Sequence, residues 1–284
     1  LHFGRASKRL NICQPPLSQQ IRRLEEEIGV QLLYRNRRNV ELTPAGKAFL
    51  AEARRIVSLS EEAMLRALKV SKGESGRLDI GFIGSANYSV LPTVVREFRK
   101  RYQNVDLYLA EMNTSPQLDA LRSGQIQVGF LRPPAGVESI GVFTETVFRE
   151  PLVIAMPTSH QYAKENSLKL RLLAKDPFIM IPRQHGPGFF DYVISVCLQE
   201  GFSPSIVLEA SQFHTIIGLV AAGLGIAIVP ASMSKSQFEG VVFKRIDGQV
   251  ETELKVAWLK DKLSPIVKNF LDVVREVCAG SVGY

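Results

Sequence analysis

Residues 6–29 read ASKRLNICQPPLSQQIRRLEEEIG, and the reading of this stretch decides the fold. Arg5–Leu10 forms a short helix, Asn11-Ile12-Cys13 a tight turn, and Pro15–Ile28 a second helix. On that second helix Leu17, Ile21, Leu24 and Ile28 recur at spacings of 4, 3 and 4, which makes one buried stripe. At about 100° per residue, Pro15, Gln19 and Arg22 fall on the opposite face with Ser18 beside them. A helix presenting an amide, a hydroxyl and a guanidinium near its N-terminus suits the major groove: amides pair with adenine, guanidinium with guanine, and the first backbone amides with phosphate. An ordinary solvated amphipathic helix would carry the same stripe, so the neighbouring sequence has to decide. Tyr34-Arg-Asn-Arg-Arg-Asn-Val-Glu-Leu-Thr43 sets Arg35, Arg37 and Arg38 at a hairpin tip, a wing able to reach phosphates beside the second helix.

Charge agrees with that reading. The 284-residue chain carries +7 overall, and residues 1–72 account for all of it, with 14 basic against 7 acidic side chains. A short basic module on a neutral body points to a polyanion, and nucleic acid fits better than a membrane because no basic helix has an aromatic face. The longest apolar run, Ile216 to Ala231, is short for a span and is broken by Gly218, Gly223, Gly225 and Pro230. Leu1 to Leu10 is basic and polar and does not read as a signal peptide. Cys13, Cys197 and Cys278 are widely spaced with no CxxC pair, which fits a reducing cytoplasm and argues against a zinc site or disulfide framework.

Residues 44–72 read as one helix, N-capped by Thr43 with Pro44 in its first turn. Phe49, Ala53, Ile56, Ser60, Ala63, Ala67 and Val70 form a heptad seam, which either packs on its own domain or pairs with a second copy; the charged opposite face favours pairing. Lys72-Gly-Glu-Ser-Gly76 breaks this helix as a hinge. From Arg77 onward strands and helices alternate, through strands Leu78–Ile83, Val105–Met112, Val128–Leu131 and Leu152–Met156 to the final helix Pro265–Val277. That alternation specifies an α/β domain with a mostly parallel sheet. The division expected is 1–43, 44–72 and 77–284, the last as two subdomains, about 77–148 with 253–284 and about 149–252.

Taken together, Ala6, Leu10, Gln14-Pro15, Ser18, Ile21, Leu24-Glu25, Gly29, Leu32-Leu33, Arg35, Leu42-Thr43 and Ala45-Gly46 resemble the LysR-type transcriptional regulators. The resemblance continues at Gly76, Leu78, Ile80-Gly81 and at GLVAAGLGIAIVP over residues 218–230, so it spans nearly the whole chain. It implies a winged helix-turn-helix, a dimerising linker helix and a periplasmic-binding-protein-like α/β effector domain. It also implies promoter duplex as partner, RNA polymerase as a further one, a dimer or tetramer, and control by a small metabolite. The family's DNA contacts would fall on Gln14, Pro15, Ser18, Gln19 and Arg22. Three departures stand out: Cys13 replaces the usual Ser or Thr cap, Gln19 often corresponds to Arg, and the family's first helix would precede His2. Features around Glu111-Met112-x-Thr114 and Leu219–Gly223 resemble the branch regulating aromatic-compound degradation, which suggests an aromatic acid or its ring-opened diacid.

In the second region, Gly84-Ser85-Ala86-Asn87 and Asn113-Thr114-Ser115-Pro116 are both strand-to-helix junctions. Their hydroxyls and amides either cap helices or together hold a carboxylate; in the family, effector carboxylates sit at these junctions. Arg132, the Pro182-Arg183 loop, Phe189 and His214 are further effector-binding candidates, each with an ordinary structural alternative. There is no GxSxG elbow, Walker loop, HExxH or metal-ligand spacing among the four histidines, so neither catalysis nor a cofactor is expected. A solute-binding protein competes, but the basic first quarter counts against it.

Overall fold

A computed structural model describes residues 1–35, 39–134, 136 and 141–279. Arg37 and Arg38 lie outside the described residues. The chain divides into two compact units, Leu1–Leu68 and Lys69–Tyr284.

The first unit is built on short local signals. Helix α1 (Phe3–Leu10) is capped by His2, whose Nδ1 accepts from Gly4 N at 3.0 Å. It ends at Asn11 in the left-handed region, φ 55°, which turns the chain within two residues into α2 (Gln14–Ile28). Cys13 occupies the N-cap of α2 and makes no side-chain cap bond, as expected for a thiol in place of a hydroxyl. Leu17 is buried and Ile21 and Leu24 half-buried, whereas Ile28 is 40% exposed at the helix end. Strands β1 (Leu33–Arg35) and β2 (Val40–Leu42) pair antiparallel as the wing. Thr43 then caps α3 (Pro44–Ser71): its Oγ1 accepts from Gly46 N at 2.9 Å and donates to Gln31 O at 2.7 Å. Position 46 has to be glycine, since a Cβ there would sit 1.9 Å from the carbonyl oxygen of Leu32.

The second unit has two lobes sharing one sheet of order β4-β3-β5-β12-β6-β11-β7, with β10 also on β6. The first lobe runs β3 (Ser75–Phe82), α4 (Leu91–Arg101), β4 (Asn104–Glu111), α5 (Thr114–Ser123) and β5 (Val128–Leu131). β3 is parallel to both β4 and β5, as the alternation requires. The rest of the sheet is not parallel. A strand of 16 residues, β6 (Val142–Pro157), pairs antiparallel with β12 (Glu251–Leu259) along its first part and with β10 (Ala227–Pro230) and β11 (Val241–Ile246) along its last. The sheet is therefore mixed, and β6 begins ten residues before the expected Leu152. Thr144–Thr146 and Arg149-Glu150-Pro151 hide that strand in the sequence, because its polar positions mimic a loop.

The second lobe adds β7 (Ser167–Leu168), β8 (Pro177–Met180), α6 (Pro187–Gln199), β9 (Ser205–Glu209) and α7 (Phe213–Ala221), with β8 parallel to β9. Each lobe has its own core. Phe98, Phe130 and Phe270 of α8 (Pro265–Cys278) centre the first, with Phe98 and Phe270 edge-to-face at 5.1 Å. Ile154, Met156, Phe178, Ile217 and Val229 centre the second. β12 and α8 come last in the chain yet pack in the first lobe, so two crossings join the lobes. At position 188, on α6, a Cβ would sit 2.5 Å from Pro133 O, so glycine permits the close approach of the second lobe to the chain just after β5.

Candidate functional site

Two surfaces carry chemistry. In the first unit, Gln14, Pro15, Gln19 and Arg22 are exposed along one face of α2 and Ser18 is half-buried beside them. Arg35 is held differently. Its Nη2 lies 2.7 Å from Glu25 Oε2, and its guanidinium stands over the Phe3 ring at 5.4 Å. The other oxygen of Glu25 accepts from Leu32 N at 2.9 Å and Leu33 N at 3.0 Å. One carboxylate thus fastens the start of the wing to α2, and Arg35 is the countercharge of that fastening rather than a free side chain at a tip.

The second surface is a cleft in the second unit where the lobes meet. Ile83, Ile181, Phe189 and Phe213 are its apolar walls, and Asn113, Thr114, Arg132, His185 and Gln212 its polar groups. α5 begins at Thr114, so Asn113 is the N-cap and Thr114 and Ser115 open the first turn. Ser115 N donates across the cleft to His185 O at 3.2 Å.

Arg132 sits at the back, 5% exposed, against Glu150, 3% exposed. Its Nη2 donates to Glu150 Oε1 at 2.8 Å, Nη1 to Ser85 Oγ at 2.6 Å and Nε to Thr252 Oγ1 at 3.0 Å. Glu150 Oε2 accepts from Ser232 N of the second lobe at 2.6 Å. Burial pushes the Arg132 guanidinium below its ordinary value, opposed by the pull of Glu150. This cluster joins both lobes through β5, β6 and β12.

Of the residues singled out from sequence, Thr114, Arg132 and Phe189 line the cleft and Ser85 is bonded to Arg132. The others do not line it. Gly84–Tyr88 is a 3-10 helix, which turns Ala86 into the core and leaves Asn87 exposed. Arg183 is exposed and paired with Asp191 at 2.7 Å, beside the half-buried Pro182. His214 is exposed and lies against the Phe238 ring at 4.5 Å. The misses are systematic: Gln212 and Phe213 face the cleft because α7 starts at Phe213, which rotates His214 outward, and His185 stands just past the Pro182-Arg183 loop. Glu150 did carry a signal, a lone carboxylate beside the buried run Leu152–Met156, which must find a partner.

Residues 71–279 match the family model for the LysR substrate binding domain, and residues 1–47 that for the bacterial regulatory helix-turn-helix protein, lysR family. The chain belongs to the LysR family of transcriptional regulators. As a LysR regulator it is a DNA-binding protein with an effector-binding domain. The HTH-type transcriptional regulator AlsR of Bacillus subtilis is 40% identical over 274 residues, covering 96% of this chain and 90% of the relative. The crystal structure of CbnR, a LysR family transcriptional regulator, is similar at TM-score 0.83 and 32% identity over 96% of this chain and 94% of that one. Full-length CbnR in complex with its target DNA gives TM-score 0.82 at 31% identity, over 98% and 94% of the two chains. Among the described residues, no helix is long and apolar enough to cross a membrane.

Proposed function

We propose that this LysR regulator reads promoter duplex with the exposed face of α2 and switches when a small carboxylate enters the cleft between its lobes. The observation that carries the DNA half is the set Gln14, Pro15, Gln19 and Arg22, solvent-exposed on the first turns of α2 beside the wing. For the effector half, the N-terminus of α5 with Thr114 offers a carboxylate the positive end of a helix dipole inside an apolar cleft. Ile56, Val57, Leu59, Met64, Leu65, Leu68 and Val70 are exposed on α3, and a second copy along this helix would cover them. That stripe is broader than the heptad seam, since Val57, Leu59, Met64, Leu65 and Leu68 lie outside it. This reading places the protein in the cytoplasm, and it works without turnover, in keeping with a Ser85 hydroxyl that is engaged by Arg132 and not by a general base.

The test is fluorescence anisotropy on a duplex selected from a random pool by the full chain. Affinity should fall steeply with salt, since phosphate contacts release counterions. Gln19→Ala should narrow the gap between selected and scrambled duplex by about 1–3 kcal/mol, the worth of one base-reading amide. An unchanged gap would mean that α2 presents another face to the groove.

A further inference from the structure

His185 is the polar group that the cleft leaves unanswered. Its ring Nδ1 is buried and has no hydrogen-bond partner among the described residues, yet the residue lines the cleft. The main chain of the same residue is fully committed. Its N–H donates to Pro182 O at 2.9 Å, and its carbonyl accepts from Ser115 N on α5 of the opposite lobe at 3.2 Å. The backbone therefore anchors His185 at the cleft, and the ring enters it from a fixed Cα. A buried polar atom left unpaired is costly, so a native protein keeps one where something else supplies the partner.

Asn113 and Gln212, the amide side chains of the cleft, are half-buried and leave no buried atom unpaired, and Arg132 is already engaged. Arg132 spends its guanidinium on Glu150, Ser85 and Thr252, whereas the Thr114 hydroxyl makes only a long bond to Arg132 O, 3.3 Å, which it can exchange for a carboxylate oxygen. The cavity between the walls is about 20 Å³, room for about one water. Any organic acid therefore has to part the walls, and one contact that resists parting is the bond from Ser115 to His185.

We propose that His185 is the specificity-determining residue of the cleft, and that the effector is a bifunctional acid. Its carboxylate lies toward Thr114 at the start of α5, and a second hydrogen-bonding group, a hydroxyl or a further carboxyl oxygen, partners His185 Nδ1. The inference rests on the cleft reading of the proposed function and adds the second pole. It also makes one residue both the reader of the ligand and a tie between the lobes.

The experiment is calorimetric binding to the full chain with acids in matched pairs: propionate and lactate, butyrate and succinate, benzoate and 4-hydroxybenzoate. In at least one pair the member with the second group should bind about tenfold tighter, the worth of roughly one hydrogen bond. His185→Leu, which keeps bulk and removes the nitrogen, should erase that ratio, and His185→Gln should restore part of it. Thr114→Val should weaken both members of the pair. Pairs that bind alike, or a ratio that survives His185→Leu, overturn the role of His185; if Thr114→Val still weakens binding, the cleft reading stands without it. Binding indifferent to both substitutions, or no binding by any of the acids, removes the cleft reading as well.

Discussion

Glu150→Gln keeps the shape of the side chain and removes its charge, which isolates what the buried ion pair contributes. In the native chain Arg132 and Glu150 are 5% and 3% exposed, and Glu150 also accepts the Ser232 N–H. The substitution leaves a guanidinium in the interior with neutral partners only, the new amide oxygen and the hydroxyls of Ser85 and Thr252. Burial already opposes its charge, yet an arginine does not give up its proton, so the desolvation of that charge is left uncompensated. Breaking a buried pair in this way costs about 3–5 kcal/mol. For a folding unit of this size, each kcal/mol is worth about 2–4 °C in Tm, so the fall should be roughly 6–20 °C. The sole tryptophan, Trp258, lies on β12 in the first lobe, so its fluorescence follows the unfolding of the affected unit. The double variant Arg132→Met with Glu150→Leu removes both charges and should recover most of the loss. A fall of under about 1 kcal/mol in Glu150→Gln, or a double variant less stable than Glu150→Gln, would refute the reasoning.

Three further outcomes are expected. Glu25→Ala strips the partner from Leu32 N, Leu33 N and Arg35 at once and should cost the first unit about 2–3 kcal/mol, read as an earlier loss of helical circular dichroism; an unchanged transition would mean that the wing is held by something else. Ala63→Glu in the heptad seam and Met64→Glu on the broader apolar stripe should each lower the particle mass measured by light scattering, and an unchanged mass would place the contact between copies elsewhere. Burial pushes the Cys197 thiol up to about 12 and the Cys278 thiol to about 11, the latter aided by Glu145, so at pH 8 both stay protonated while Cys13 is exposed. A thiol-disulfide reagent should therefore label Cys13 in the folded chain and the other two only after unfolding, and fast labelling of all three would contradict the burial.

The local half of this protein is legible in the chain itself. Apolar stripes at helical spacing set α2 and α3, the Thr43 cap and Pro44 mark where α3 begins, and the clustering of cationic side chains in residues 1–72 singles out the nucleic-acid module. These features depend on neighbours within a few residues, so periodicity and capping report them directly. What depends on long-range pairing does not show. Whether Arg35 points to DNA or back to Glu25 is decided by the wing folding onto α2, a contact ten residues apart that no spacing announces. The length of β6 is set by β12, β10 and β11, which satisfy its backbone from both lobes whatever its own side chains prefer. In the cleft, the start of α7 at Phe213 turns His214 out and Gln212 in, because on a helix a shift of one residue is a rotation of about 100°. Glu150 and Arg132 stand 18 residues apart, each noticeable by itself but with nothing in the sequence to join one to the other. Only the fold, by drying the space between them, makes them a pair that neither lobe can do without.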